Sequence, residues 1–167
     1  MAHEFKDGLK KYYDNLGENP PVSKLKSASN ATIRYNVEMM NYNLKRMENA
    51  ESKGDLNSKV YKKALVNMLK AFRETGLDRI MAKHNLDAIV SPTGSPAWKT
   101  DLINGDKYYI STTVYAALSG YPNINVPMGF IGNVPVGISF YGRAWSEPVL
   151  LEINYAYEQN TNHRKPP

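Results

Sequence analysis

The sequence predicts a mixed α/β fold in which N-terminal helices lead into a small mixed sheet with covering helices. Three observations predict it. Up to His84, apolar residues recur at the three- and four-residue spacing of amphipathic helices. Beyond that point they come in short β-branched runs, "DAIVSP", "NINVP" and "VGISFYG". Helical patterns return between and after these runs, so the order is helices, strand, helix, strand, strand, helix, which calls for helices laid on a sheet. The 167 residues are read as one domain, mainly helical over 1–86 and strand-helix-strand-strand-helix over 87–167.

Taken in order, Phe5, Leu9, Tyr12 or Tyr13 and Leu16 form the stripe of a short amphipathic helix, closed by Gly17 and the turn-forming "NPP". Ile33, Val37, Met40, Leu44 and Met47 mark a second helix behind caps in "SASN", ending before Gly54. A third runs through Tyr61, Leu65, Met68, Leu69 and Phe72, with Asn57 or Ser58 as start and Gly76 as stop. Periodicity alone explains the Met and aromatic residues on these stripes, so they are core filling rather than a ligand box. "DAIVSP" reads as a strand buried on both faces and ended by proline. A helix over about Ile110–Ser119 ends at Gly120, where positive φ is cheap. In "VGISFYG", Val136, Ile138 and Phe140 share one side of a strand. "GNVPVG" before it is a tight connection between strands. Ser146 caps a last helix with Pro148 in its first turn and Leu150, Leu151, Ile153, Ala156 and Tyr157 facing inward. Three short strands make a poor independent sheet, so something else is expected to cover its edges and faces.

Composition narrows the function. An apolar fraction of 42% supports a core, which argues against disorder, and the absence of cysteine excludes disulfides, thiolate metal sites and a cysteine nucleophile. The N-terminal residues carry no signal-type apolar stretch and no segment is long enough to span a bilayer, so a cytoplasmic protein is expected. Net charge is +5, with sixteen Lys/Arg against ten Asp/Glu in residues 1–86 and five against six afterwards. Basic and acidic residues interleave, as in "LKRMENAESKGD", which marks solvated helix faces rather than a nucleic-acid surface.

A search for chemistry returns no catalytic constellation. The three histidines, His3, His84 and His163, are scattered, and His84 sits at the end of the charged segment "RIMAKHN", where histidine interacts with the helix dipole. No histidine pair has metal-ligand spacing, and no glycine-rich loop leads from a strand into a helix, so neither a metal nor a nucleotide cofactor is expected. Two places remain. "SPTGSPAW" leaves a strand end, where α/β proteins often build ligand sites, and its Trp98 should pack against something. Ser111, Thr112 and Thr113 open the next helix, as caps or as ligand contacts; capping is the reading adopted.

The ordered words "LDAIVSPTGSPAW", "LSGYPNINVPMGF", "PVGISFYGRAWSE" and "LLEINYAYEQ" resemble the C-terminal portion of amidase signature family enzymes, most sharply from Leu86 to Pro148. The resemblance implies the C-terminal part of an α/β/α sandwich from an enzyme that hydrolyses or transfers carboxamide nitrogen. In that family a serine nucleophile, a second serine with a cis peptide bond, a lysine base and backbone N–H groups for the oxyanion do the work. Those parts belong to the family's N-terminal portion. Here there is no Ser-Ser or Gly-Gly pair, so no catalytic residue is carried over and the chain is expected to be an inactive fragment on its own. What carries over is one wall of the substrate cleft, with Thr93, Gly94, Trp98 and Asp101 as candidate lining residues. The sequence departs from its relatives at Tyr108, Tyr109 and Tyr115, whose bulk would reshape that cleft. A carboxamide substrate is expected only together with the N-terminal portion. A noncatalytic module that self-associates or pairs with a separate catalytic chain through an exposed sheet edge is the second reading, and a basic nucleic-acid binder the third.

Overall fold

A computed structural model of the chain describes residues 1–17, 22, 26–28, 30 and 45–165. Its contacts divide into two compact units, Met1–Leu65 and Val66–Pro167. The segment expected to carry Ile33, Val37, Met40 and Leu44, with the "SASN" cap, lies largely outside the described residues.

In the first unit, α1 (Ala2–Asp14) is followed at Gly17 by a backbone φ of 97°, as the closing glycine required. Its stripe is only half covered: Leu9 and Tyr13 are half-buried, while Phe5, Tyr12 and Leu16 are exposed. α2 (Lys45–Glu51) lies against α1 and buries Ala50. The two are fastened by Lys6, whose ammonium donates to the carbonyls of Glu51 at 2.9 Å and Lys53 at 3.2 Å. A cation at the C-terminal end of a helix meets the negative pole of its dipole and unpaired carbonyls. Tyr61 donates its hydroxyl to Glu4 at 2.9 Å. The N-terminal ammonium first, and this hydroxyl second, hold the Glu4 carboxyl below its usual range.

α3 (Lys59–Phe72) starts as read, with Ser58 Oγ accepting the Tyr61 N–H at 3.3 Å. Tyr61, Leu65, Met68, Leu69 and Phe72 are half-buried while Val60, Lys62, Val66, Lys70 and Ala71 stay exposed. Gly76 does not stop the helical path. It sits in a wide π-type turn, Arg73–Leu77, with φ −99° and ψ −107°, and the chain resumes as α4 (Asp78–His84). A Cβ on Gly76 would stand 2.5 Å from the Ala71 carbonyl oxygen, so the kink admits no side chain.

The sheet is built from β1 (Ile89–Pro92), β2 (Asn123–Ile131) and β3 (Val134–Tyr141) in the order β1-β3-β2. The α/β class holds, but both pairings are antiparallel, where a mixed sheet was expected. For β2 and β3 the reason is local. β2 and β3 are joined by the two-residue turn Gly132-Asn133, with Gly132 at φ 60°, which can only return the chain antiparallel. α5 (Thr113–Ser119) is shorter than the expected 110–119 and ends at Gly120, φ 71°, whose N–H returns to the Ala116 carbonyl at 2.7 Å.

α6 (Glu147–Thr161) lies on β2 and β3. Val126, Phe140 and Leu150 form the core there, joined by Ile124, Ile138, Ile153 and Tyr157. Full burial of a valine, phenylalanine or leucine contributes about 1.5–3 kcal/mol. Two inward assignments are corrected: Leu151 and Ala156 are exposed, because the buried line of α6 runs through Leu150, Asn154 and Tyr157 at four- and three-residue steps. β1 is also corrected. Val90 is 53% exposed and Pro92 exposed, since the covering helix packs on β2 and β3 and β1 is a sheet edge. No helix among the described residues is long and apolar enough to cross a membrane.

Candidate functional site

β1 delivers the chain into the wall segment Ser91–Trp98. The ladder continues one residue past the strand: the Thr93 N–H donates to the Gly137 carbonyl at 2.8 Å. Thr93 Oγ1 donates to Asn125 Oδ1 at 2.6 Å and lies 2.9 Å from Ser139 Oγ. A hydroxyl has one proton, so with Thr93 donating to Asn125 the buried Ser139 donates to Thr93. This row of three occupies the sheet face opposite Val126, Ile138 and Phe140. Gly137 beside it has no side chain because a Cβ there would collide with Asn125 Oδ1 and stand 3.0 Å from Thr93 Oγ1.

Past Thr93 the wall is clamped by the segment before α5. Gly94 bridges Ser111, and the Thr112 N–H donates to the Thr93 carbonyl at 3.3 Å. Thr112 Oγ1 donates to the Pro92 carbonyl at 2.7 Å, and Ser111 and Thr113 hydroxyls bond to one another at 2.9 Å. The capping role expected of these hydroxyls is therefore corrected: α5 has no side-chain cap, because Thr112 is drawn across to β1. The same holds at α6, where Ser146 Oγ donates back to the Arg143 carbonyl at 2.8 Å instead of capping.

Trp98 is 37% exposed, donates its indole N–H to Asp106 at 3.1 Å and meets Tyr108 edge-on at 5.9 Å between ring centres. Asp101 spends both carboxylate oxygens within its own turn, accepting from the Ile103 and Asn104 N–H groups and from the Asn104 side chain. The Asn104 bonds first, then that from Ile103, hold its carboxyl below the usual aspartate range. Of the other departing tyrosines, Tyr115 stacks on Tyr141 with ring centres 6.0 Å apart and planes 6° from parallel, while Tyr109 is exposed. The structure thus joins Thr93 and Gly94 in one clamped strand end, with Trp98 and Asp101 further along the loop and bonded within it.

Asn125, Ser139, Ser95 and Asp106 belong to this site and were missed from the sequence. A signal existed for two of them. The alternation that placed Val136, Ile138 and Phe140 on one face puts Ser139 on the other, opposite Asn125. Among the described residues, the wall hydroxyls bond to backbone groups, to one another and to Asn125, and not to a lysine, histidine or carboxylate. Hydrogen-bonding capacity and an aromatic surface are what the wall offers. His84 stands exposed in the last turn of α4.

This fold is found in known proteins. A family model described as Amidase matches residues 2–151. The chain belongs to the amidase family. It is 33% identical over 169 residues to a probable amidase of Arabidopsis thaliana, covering 100% of this chain and 30% of that protein. A peptide amidase solved with the competitive inhibitor chymostatin superposes with a TM-score of 0.92 at 34% identity, over 100% of this chain and 34% of the other. The native peptide amidase of Stenotrophomonas maltophilia gives 0.87 at 33% identity, over 100% and 33%. The amidase-family chain therefore spans about a third of the length of these relatives.

Proposed function

We propose that these 167 residues supply scaffold and one substrate-cleft wall of an amidase that hydrolyses carboxamide C–N bonds, and that they are catalytically inactive alone. One observation carries the reading: in an amidase-family chain, the loop leaving β1 is held by Thr93, Ser95 and the Gly94/Ser111 bridge, yet among the described residues its hydroxyls contact no base. Hydrolysis needs a nucleophile activated by a neighbouring proton acceptor. A wall that only donates and accepts hydrogen bonds positions a substrate for groups supplied from the rest of the fold. Thr93, Gly94, Trp98 and Asp101 line the cleft in this reading, Asp101 with both carboxylate oxygens already bound within its own turn. The purified chain is expected to release no ammonia from a simple peptide amide above a no-protein control. Measurable turnover by the chain alone overturns the reading.

A second reading is favoured by the open side of β1 and the 53% exposure of Val90. Here the chain is a noncatalytic module pairing through that edge with its own copy or a separate catalytic chain. It predicts association by light scattering at high concentration; a strict monomer that also captures no catalytic chain removes it.

A further inference from the structure

Trp145 combines two unfavourable properties in the segment between β3 and α6. Its φ is 64°, a left-handed conformation that costs a bulky side chain free energy, and its side chain is 88% exposed. The local reason for an apolar residue at this position is missing. A residue just before a helix cap commonly packs on the fourth helical residue, here Leu150, but Leu150 is fully buried in the sheet core and leaves Trp145 in solvent. Strain persists only where something over-determines it, and among the described residues nothing covers the ring.

Beside Trp145 lies a cavity of about 220 Å³ lined by Arg73, Tyr121, Pro122 and Glu147 among others. Its wall is fixed beforehand. The Arg73 Nε–H donates to the Ser119 carbonyl at 2.6 Å, its guanidinium lies 5.5 Å over the Tyr121 ring, and Tyr121 donates to Asp78 at 2.8 Å. Ligand pockets usually enclose about 300–1,000 Å³, so this one suits a single side chain better than a separate small molecule.

We propose that Trp145 and the Arg73/Tyr121 cavity form an anchor for the two thirds of an amidase-family fold that these residues do not span. The occupant follows from the comparison: the chain superposes over its whole length on a third of a peptide amidase, so the remaining fold must seat on surfaces left open here. Tryptophan and arginine beside a preformed pocket are the residues that dominate such interfaces. The proposal rests on the amidase reading above.

The test is co-expression of the chain with the remaining portion of the Stenotrophomonas maltophilia peptide amidase as a second polypeptide, with hydroxyl-radical footprinting read by mass spectrometry. Trp145 should be oxidised readily in the chain alone and at least tenfold more slowly in the complex. Trp145→Gly should weaken the complex at least tenfold while leaving the thermal midpoint of the chain alone unchanged or higher, because glycine takes φ 64° without strain. Failure to form a complex, unprotected Trp145 within it, or a lower midpoint for Trp145→Gly overturns the proposal. So does protection that appears in the chain alone as its concentration rises, which assigns the face to a second copy. A complex that protects Trp145 and yet hydrolyses no amide counts against the functional reading and leaves this anchor standing.

Discussion

Ser95 and Ile110 hold each other from both sides: the Ser95 N–H donates to the Ile110 carbonyl at 3.2 Å, and the Ile110 N–H returns to Ser95 Oγ at 3.0 Å. Ser95 Oγ accepts the Tyr109 N–H as well, at 2.9 Å. Ser95→Ala should release both amides. Water can replace part of the loss at this exposed position, so the cost is about 0.5–1.5 kcal/mol by chemical denaturation. Hydrogen exchange at Tyr109 and Ile110 should accelerate while the Thr93 amide, bound to Gly137, keeps its protection; equal rates at all three would contradict the clamp.

Gly137→Ala forces a methyl group onto Asn125 and Thr93. It should cost about 1–3 kcal/mol, typical of an inserted carbon in a packed place. Adding Asn125→Ala should recover part of that loss, since it removes the group struck first. A double variant as unstable as the sum of the singles would show that the collision is elsewhere.

Asp101 should titrate below a free aspartate in an NMR experiment, and Asn104→Ala should move its midpoint back up. The sign follows from linkage: a carboxyl whose folded pKa is lowered contributes stability above its unfolded pKa, lost as pH falls through the folded one. Acidification below the ordinary aspartate range should therefore loosen the turn at Asp101–Asn104 before the sheet. An unshifted midpoint would disprove the bonding pattern.

Leu150 has no exposed surface and meets the sheet between Val126 and Phe140. Leu150→Ala should cost about 2–5 kcal/mol, the range for emptying a leucine site in a core. Leu151→Ala, one residue on and 60% exposed, should stay within about 0.5 kcal/mol of the parent. Similar losses for the two would put the buried line of α6 elsewhere.

Much of this architecture was legible in the sequence because periodicity is a local property. Tyr61, Leu65, Met68, Leu69 and Phe72 stand out from their exposed neighbours as the half-buried stripe of α3, and Gly120 and Gly132 take the positive φ that a helix end and a hairpin turn demand. Misreadings arose where distant groups compete. Thr112 looked like a cap, but a carbonyl twenty residues earlier claims its hydroxyl. Gly76 looked like a terminus because an isolated glycine ends a helix as readily as it kinks one, and only the approach of Ala71 separates the two. "DAIVSP" is apolar on both sides, yet Val90 is exposed, for apolar composition records what a strand suits and not what covers it. At the candidate site, the wall segment was visible from its prolines and tryptophan, whereas Asn125 and Ser139 lay concealed in runs read for their apolar face.

The Thr93–Gly137 bond fixes which groups of β1 point inward, so Val90 and Pro92 present their backbone to the open side. Proline has no N–H to offer, and the Pro92 carbonyl is already claimed by Thr112. A strand arriving there finds a single usable donor, at Val90. An edge with so few free groups pairs weakly with another strand, which weighs against association through β1 and limits its use as a template for further strands.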